Sequence, residues 1–246
     1  MKSSWKKIGR SLYGLIACIF LFMWAAVASA INTGVLDTVV ASTYLGGSQV
    51  DEIYSVSFDA DGNVFVAGRT NSASDFASGC QNVNTTYKGT YEDAFVAKFD
   101  PSLQNLLAVA YLGGKGFDGA YSVKVDSLDN VFVAGYTTST DFPVTPGAFD
   151  TTFGGVKDAF VASFSNDLST LNGSTYLGGT GEDISYSFAF DSFFDIYVAG
   201  TTRSADLPAT GTYSGGVDSF IGKLTNDLSS LTAAVYMGGA SDDHAR

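Results

Sequence analysis

Carboxylates and aromatic rings are the side chains of this sequence that could bind or transform a ligand. The 246 residues include 25 Asp and Glu, 13 Tyr and 19 Phe, but 2 Cys and 1 His. His244 lies in the last few residues, so we do not expect the Ser–His or Cys–His pair of nucleophilic catalysis inside the domain. The same shortage of His and Cys argues against a zinc site. We therefore predict no catalytic residues and, as the first interpretation, no enzyme.

The candidate ligand-binding residues are those expected in loops that gather at one end of the fold. Long loops on a rigid scaffold commonly form binding surfaces, and residues that do not recur in every repeat are the better candidates there. We expect them to bind a protein or a glycan. The candidates are Asp51, Glu52, Gln81, Tyr87, Tyr91, Lys115, Phe117, Asp118, Glu182 and Asp183.

Paired carboxylates keep one enzyme class open. A glycosidase needs only two carboxyl groups at a suitable separation, so a carbohydrate-active enzyme (glycosidase or lyase) using Glu52, Asp118 or Glu182 is the alternative. Other Asp residues recur in every repeat, which favours a structural role as acceptors of backbone N–H groups. These recurrent residues are Asp93, Asp158 and Asp218, together with Asp75, Asp141 and Asp206.

One turn places oxygen ligands at alternate positions, as calcium-binding loops do. Its candidate ligands are Asp59, Asp61 and Asn63. The spacing departs from an EF-hand loop, because Gly62 stands fourth where that loop needs its glycine sixth. The corresponding turns of the other repeats do not keep the pattern. Apart from calcium at this turn, we expect no cofactor.

An internal repeat of about 65 residues organises the chain. The word Val-Phe-Val-Ala-Gly at 64–68 returns almost unchanged at 131–135 and 196–200. Each repeat contains four runs rich in Val, Phe, Tyr and Ala, which indicate strands, and short turns join the first pair and the last pair. We name these strands A, B, C and D and predict a four-stranded antiparallel meander.

Strand B is apolar on both faces, so the sheet must be covered on both sides. Stacking like sheets around an axis achieves this, which predicts an all-β fold: a β-propeller of four-stranded antiparallel blades. A linear β-solenoid is the rival, but its coils are much shorter. In this arrangement the D–A and B–C connections share one face, which collects the candidate binding loops.

The predicted domain covers residues 31–246 and contains about three blades plus one extra N-terminal strand. The units lie at about 51–114, 118–179 and 183–239, and the lone strand D lies at 36–47. Three blades fall below the four to eight usual for a closed ring. We therefore expect either the front part of a longer propeller or self-association of two or more chains that completes one ring.

Residues 1–30 are predicted to be a signal peptide, since basic residues precede an apolar run that ends in Ala28-Ser29-Ala30. Lipidation at Cys18 is the alternative for this segment. Cleavage would change the formal charge from −12 to −16, because 9 basic and 25 acidic residues remain. Such a field repels nucleic acid. We expect a secreted, extracellular or cell-envelope protein with no membrane span after cleavage.

The motifs also carry a family resemblance, best seen in Tyr111 to Ala162. There Tyr-Leu-Gly-Gly, Asp-Asn-Val-Phe-Val-Ala-Gly, Asp-Phe-Pro-x-Thr-Pro-Gly-Ala-Phe and Asp-Ala-Phe-Val-Ala follow in fixed order. The sequence resembles the bacterial SBBP (seven-bladed β-propeller) repeat family over Thr43 to Asp243. The resemblance implies a secreted or cell-envelope propeller without a common catalytic activity. The third repeat departs from the pattern at the A–B turn, where Phe193-Phe194 replaces the usual turn residues.

Overall fold

A computed structural model of the chain describes residues 39–72, 75–80, 82–84, 87–88 and 91–245. Thirteen β-strands run through this part of the chain, and no helix occurs in it. The strands are β1 (Asp51–Phe58), β2 (Val64–Thr70), β3 (Val83–Asn84), β4 (Asp93–Phe99), β5 (Leu106–Leu112), β6 (Asp118–Val125), β7 (Val131–Thr137), β8 (Asp158–Phe164), β9 (Leu171–Leu177), β10 (Asp183–Phe190), β11 (Ile196–Thr202), β12 (Asp218–Leu224) and β13 (Leu231–Met237).

The strands form three antiparallel sheets, each connected in sequence order. Blade 1 has the order β1-β2-β4-β5, blade 2 the order β6-β7-β8-β9 and blade 3 the order β10-β11-β12-β13. The short strand β3, which the sequence did not predict, pairs in parallel with β5 at the outer edge of blade 1. The predicted all-β fold of four-stranded meanders is therefore confirmed.

The A–B turns keep one geometry even where their sequences differ. In the first turn Gly62 adopts a positive φ of 82°. In the third turn Phe194 adopts φ 66° at the equivalent place, and Asp191 N–H donates to the carbonyl of Asp195 at 3.0 Å. The substitution by Phe193-Phe194 therefore leaves the hairpin intact, although a bulky residue now occupies a left-handed conformation.

Successive blades pack face to face, as the two-sided apolar strands required. Phe65 and Ala67 of β2 lie in one core cluster with Val131 and Val133 of β7, so they join blade 1 to blade 2. A second cluster joins blades 2 and 3 in the same way. We call the side of a blade that packs on the following blade its forward face, and the opposite side its rear face.

A β-bulge in each first strand explains the glycine that ends the repeated Val-Ala-Gly word. The register of β1, β6 and β10 shifts at Tyr54, Tyr121 and Tyr186, respectively. These rings adjoin one another, with centroids 4.9 Å apart for Tyr54 and Tyr121 and 5.3 Å apart for Tyr121 and Tyr186. Opposite the second bulge, a Cβ on Gly135 would lie 1.9 Å from the carbonyl oxygen of Gly119. Only glycine permits this close backbone approach.

The N-terminal segment differs from its prediction. No strand is assigned within 39–50, while residues 36–38 lie outside the described residues, as do the predicted signal peptide and Cys18. Ala41 and Leu45 nevertheless pack on the rear face of blade 1. They occupy the same repeat positions as Ala108 and Leu112 of β5. The segment thus lies where a strand D belongs, although no strand C pairs with it among the residues that the structure describes.

We predict that Gly135→Ala lowers the free energy of unfolding by about 2 to 3 kcal/mol, because the added methyl group overlaps a backbone oxygen that cannot move away easily. Gly222→Ala is the matched control. Its Cβ would lie 3.3 Å from the flexible Leu231 side chain, and alanine already stands at this position in the other two blades. Chemical denaturation of both variants measures the difference. Equal stability of the two variants would contradict the role given to the bulge.

Candidate functional site

The loop-rich face is the end of the blades where the D–A connections meet the ends of the B–C excursions. Backbone hydrogen bonds join the two kinds of loop: Asp118 N–H donates to the carbonyl of Glu92 at 2.8 Å, and Asp183 N–H to that of Lys157 at 2.7 Å. Because the meander is antiparallel, all these connections lie at one end of the strands. The predicted clustering of loops is therefore present in the structure.

Two exposed aromatic rings stack at this face between blades 1 and 2. Tyr91, from the excursion between β2 and β4, and Phe117, from the β5–β6 connection, have ring centroids 4.4 Å apart and an interplanar angle of 28°. They are 48% and 44% exposed, respectively. The Tyr87 hydroxyl fixes the backbone beneath Tyr91 by donating to its carbonyl oxygen. The pair forms an apolar platform that is partly exposed to solvent.

Beside the platform, one arginine holds two carboxylates. Arg69 Nη2 lies 2.6 Å from Glu52 Oε2, and Arg69 Nη1 lies 2.6 Å from Glu92 Oε2. The Tyr54 hydroxyl also donates a hydrogen bond to Glu52. Hydrogen bonds from Tyr54 and Arg69 keep the pKa of Glu52 below its usual value, so this carboxylate is ionised at neutral pH. The polar groups next to the platform are thus fixed in position.

The site continues onto blade 2 through residues that do not recur. Tyr136 occupies the repeat position of Arg69, and Lys157 occupies that of Glu92. The Lys157 ammonium lies 4.8 Å from the centre of the Tyr136 ring. Gly119 leaves room for that ring, since a Cβ there would lie 2.7 Å from Tyr136 Cε1. The backbone is therefore the same in each repeat, and different side chains at equivalent positions give each blade different polar and aromatic groups.

The structure brings together four of the predicted site residues: Glu52, Tyr87, Tyr91 and Phe117. It places two others at separate ion pairs on the same face. The Lys115 ammonium lies 3.9 Å from Asp141 Oδ2, and Glu182 Oε2 lies 3.3 Å from Arg203 Nε. Gln81 lies outside the described residues.

Sequence reasoning missed Arg69, Glu92, Tyr136 and Lys157. The available signal was variation between equivalent repeat positions, such as Arg69, Tyr136 and Thr201 at the end of strand B. That comparison marks the positions at which the blades differ. It does not show that they meet between blades 1 and 2.

The remaining predicted residues, Asp51, Asp118 and Asp183, hold their own blades together. Asp118 is fully buried, and its Oδ2 accepts bonds from Gly114 N–H at 2.9 Å and from Ser139 Oγ at 2.8 Å. Asp51 and Asp183 make the same bonds in the other repeats. These carboxylates tie strand D to the end of strand B. Their hydrogen-bonding capacity is directed at the blade rather than at solvent.

A second recurrent carboxylate begins strand C. Oδ2 of Asp158 accepts the N–H of Gly154 at 2.8 Å, and Asp93 and Asp218 accept bonds from Lys88 and Ser214. The structural role predicted for these residues is confirmed. Burial raises the pKa of Asp158 to about 6, partly offset by the Gly154 hydrogen bond and reinforced by the charges of Asp183 and Asp150.

The proposed calcium turn is an Asx turn in the structure. Oδ1 of Asp59 accepts the N–H groups of Asp61 and Asn63 at 3.1 and 2.8 Å, and Oδ2 accepts Asn63 Nδ2 at 2.8 Å. Lys98 Nζ lies 3.4 Å from the same Oδ2. Both oxygens of Asp59 therefore have donors within the protein. Over the described residues, no three His, Cys, Asp or Glu side chains are grouped so that they could hold a metal ion.

Three stacked four-stranded sheets, with their first strands adjacent and their loops gathered at one end, define a β-propeller architecture. The repeats match the family described as beta-propeller repeat, SBBP, at residues 42–77, 109–143 and 172–208. Three stretches of the chain are therefore similar to this repeat. A search of curated proteins found no match to the chain. Within the part of the chain that the structure describes, no helix is long and apolar enough to cross a membrane.

We predict that Asp158→Asn flattens the pH dependence of stability. Burial makes the ionised form of Asp158 unfavourable in the folded protein. The contribution of Asp158 to the free energy of unfolding is therefore fully present below pH 4, near the ordinary pKa of Asp, and is lost as pH rises through about 6. Asparagine still accepts the Gly154 bond but has no charge to bury. We expect a gain on the order of 2 kcal/mol at pH 7 and little change at pH 4, measured by denaturation at each pH.

Asp167→Asn is the control with the opposite sign. Hydrogen bonds from Ser165 and Ser169 lower the pKa of Asp167 to about 2, so its stabilisation is present above pH 4, the ordinary range, and is lost as pH falls through about 2. This variant should therefore lose stability at pH 7. An Asp158→Asn protein less stable than the wild type at pH 7 would refute the assignment to Asp158.

Proposed function

We propose that this propeller is a non-enzymatic binding module, secreted or displayed on the cell envelope, that binds a glycan or protein partner at its loop-rich face. The observation that carries the proposal is the exposed Tyr91–Phe117 stack. Soluble proteins bury large aromatic rings, and a solvated pair beside fixed polar groups is typical of a recognition surface. The signal-peptide pattern in residues 1–30 supports export.

Two properties of the site favour binding over turnover. Glu52 and Glu182 are both paired with arginines, and Asp118 is buried in its blade, so the three carboxylates named for the enzyme alternative all have partners in the protein. The platform, by contrast, has solvent-exposed ring surface. Aromatic side chains provide large contact areas at a low cost in conformational entropy, which suits a binding site.

The experiment is a binding assay of the purified mature protein against envelope extracts and a polysaccharide panel. We predict that Tyr91→Ala and Phe117→Ala each weaken binding about tenfold or more, since central aromatic residues dominate interface energies. Phe193→Ala is the matched control, because Phe193 is an exposed ring in an A–B turn at the opposite end of the blades.

Binding that survives loss of both platform rings, or that falls equally in the Phe193→Ala protein, would contradict the proposal. Release of new reducing ends from a polysaccharide, lost on Glu52→Gln or Glu182→Gln, would establish the carbohydrate-active enzyme instead. The two functions therefore give different products as well as different mutational patterns.

A further inference from the structure

A second group of aromatic rings lies along the first strands of the three blades. Tyr54 of β1, Tyr121 of β6 and Tyr186 of β10 each stand at the bulge of their strand, and we call them the tyrosine row. The ring centroids are 4.9 Å apart for Tyr54 and Tyr121 and 5.3 Å apart for Tyr121 and Tyr186. The row therefore presents one ring per blade in a continuous series.

The rings of the row keep contact with solvent although they adjoin one another. Tyr54 is 39% exposed, and Tyr121 and Tyr186 are partly exposed. Tyr121 is the informative case, because the first strands of the two neighbouring blades, β1 and β10, flank its own strand on both sides. Its exposure is thus a property of the row and does not result from a missing neighbour.

Two of the three hydroxyl groups in the row can bond to a ligand. The Tyr54 hydroxyl already donates to Glu52. Within the described residues, the hydroxyl groups of Tyr121 and Tyr186 have no hydrogen-bond partner in the protein. A tyrosine hydroxyl both donates and accepts, so these two groups suit a ligand that itself carries hydroxyl groups.

A serine follows each tyrosine of the row in the sequence. These residues are Ser55, Ser122 and Ser187. Ser187 is exposed next to Tyr186, whereas Ser55 Oγ accepts the N–H group of Val123 in the next blade at 3.1 Å. The polar residues that the sequence places beside the row are therefore uncharged.

The ion pairs of Arg69 join the tyrosine row to the platform. Glu52 accepts the hydrogen bond from Tyr54 of the row and pairs with Arg69. The second partner of Arg69 is Glu92, which directly follows Tyr91 of the platform. The row and the platform therefore belong to one surface, and the charged groups between them are paired within the protein.

We infer that this surface binds a neutral polysaccharide, with part of the sugar chain at the platform and the following units along the tyrosine row. The inference rests on the proposed binding function and names its ligand class. Sugar rings pack their C–H groups against aromatic rings, while their hydroxyl groups bond to tyrosine and serine hydroxyl groups.

The spacing of the row favours a glycan over an extended peptide. A polyproline helix advances about 3.1 Å per residue with three residues per turn, so one face recurs about every 9 Å. A β-strand brings side chains to one face about every 7 Å. The rings of the row are 4.9 and 5.3 Å apart, which is close to the length of one sugar unit in an extended chain.

The charge of the protein favours a neutral chain over an acidic one. The sequence has a formal net charge of −12, which repels polyanions. Arg69 is already paired with two carboxylates. The Lys157 ammonium lies over the Tyr136 ring and is a single charge, so it does not offset this field.

Isothermal titration calorimetry of the mature protein with defined oligosaccharides tests the inference. The neutral probes are the disaccharide, tetrasaccharide and hexasaccharide from cellulose, xylan, mannan and chitin. An alginate hexasaccharide is the acidic probe, and a polyproline peptide is the peptide probe. We expect at least one neutral series to bind, with an affinity that rises with chain length as further units reach the row.

Tyr186→Leu removes the last ring of the row but keeps an apolar side chain for packing. We predict that it lowers the affinity for the hexasaccharide about fivefold and leaves that for the disaccharide unchanged, since a short ligand does not span platform and row. Tyr186→Phe keeps the ring and should lose less affinity. Tyr197→Leu is the matched control, because Tyr197 is an exposed tyrosine of the same blade outside the row. Circular dichroism checks that the variants remain folded.

Failure of every neutral oligosaccharide to bind would overturn the inference, as would tighter binding of the alginate or polyproline probe. An unchanged hexasaccharide affinity in Tyr186→Leu, or an equal loss in Tyr197→Leu, would exclude the tyrosine row. The platform variant Tyr91→Ala separates this result from the proposed function. If Tyr91→Ala weakens binding while Tyr186→Leu does not, the binding module stands and the extended polysaccharide site falls.

Discussion

Burial of both faces of each sheet is the constraint on which the rest of this structure depends. A four-stranded sheet with Phe65 on one side and Val64 on the other cannot stand alone in water, so each blade must lie between neighbours. Small residues such as Ala67 and Ala94 let the sheets approach closely beside the large rings. The bulge opposite Gly135 turns a tyrosine of each first strand toward its neighbours. The clustering of loops at one end follows from this packing and the antiparallel order.

The recurrent carboxylates hold the backbone of every blade in the same conformation, so that other surface residues can differ between blades. In every repeat an Asp at the start of strand A ties the Gly-Gly word to the end of strand B. A second Asp at the start of strand C holds the excursion before it. Burying these groups is costly, as the raised pKa of Asp158 shows, but each accepts specific N–H bonds. Because the backbone is fixed in this way, Arg69 and Tyr136 can occupy equivalent positions and make different contacts.

The same repetition has a consequence at the outer faces of the described blades. A blade interface is one surface used many times, and within the described residues the forward face of blade 3 has no following blade against it. Ile221 is exposed for this reason, although its equivalents Val96 and Val161 are among the most buried of the described residues. In this chain the packing of Ala41 and Leu45 covers part of one end.

The sequence by itself determined the repeat, the four strands of each blade, their antiparallel order and the structural role of the Asp residues at the start of strand C. Hydrophobic periodicity and turn residues are properties of the local sequence, and they are easy to recognise when they occur three times. Only the tertiary structure decided which non-recurrent residues meet. Glu52, Arg69 and Glu92 are far apart in the sequence, and the salt bridges among them depend on how β1, β2 and β4 align. The Tyr91–Phe117 stack joins two loops across a blade boundary. The alternation of residues along a strand determines which face of the sheet each side chain lies on. Contacts between blades depend on the distance and angle between the sheets, and the periodicity of the sequence does not specify these.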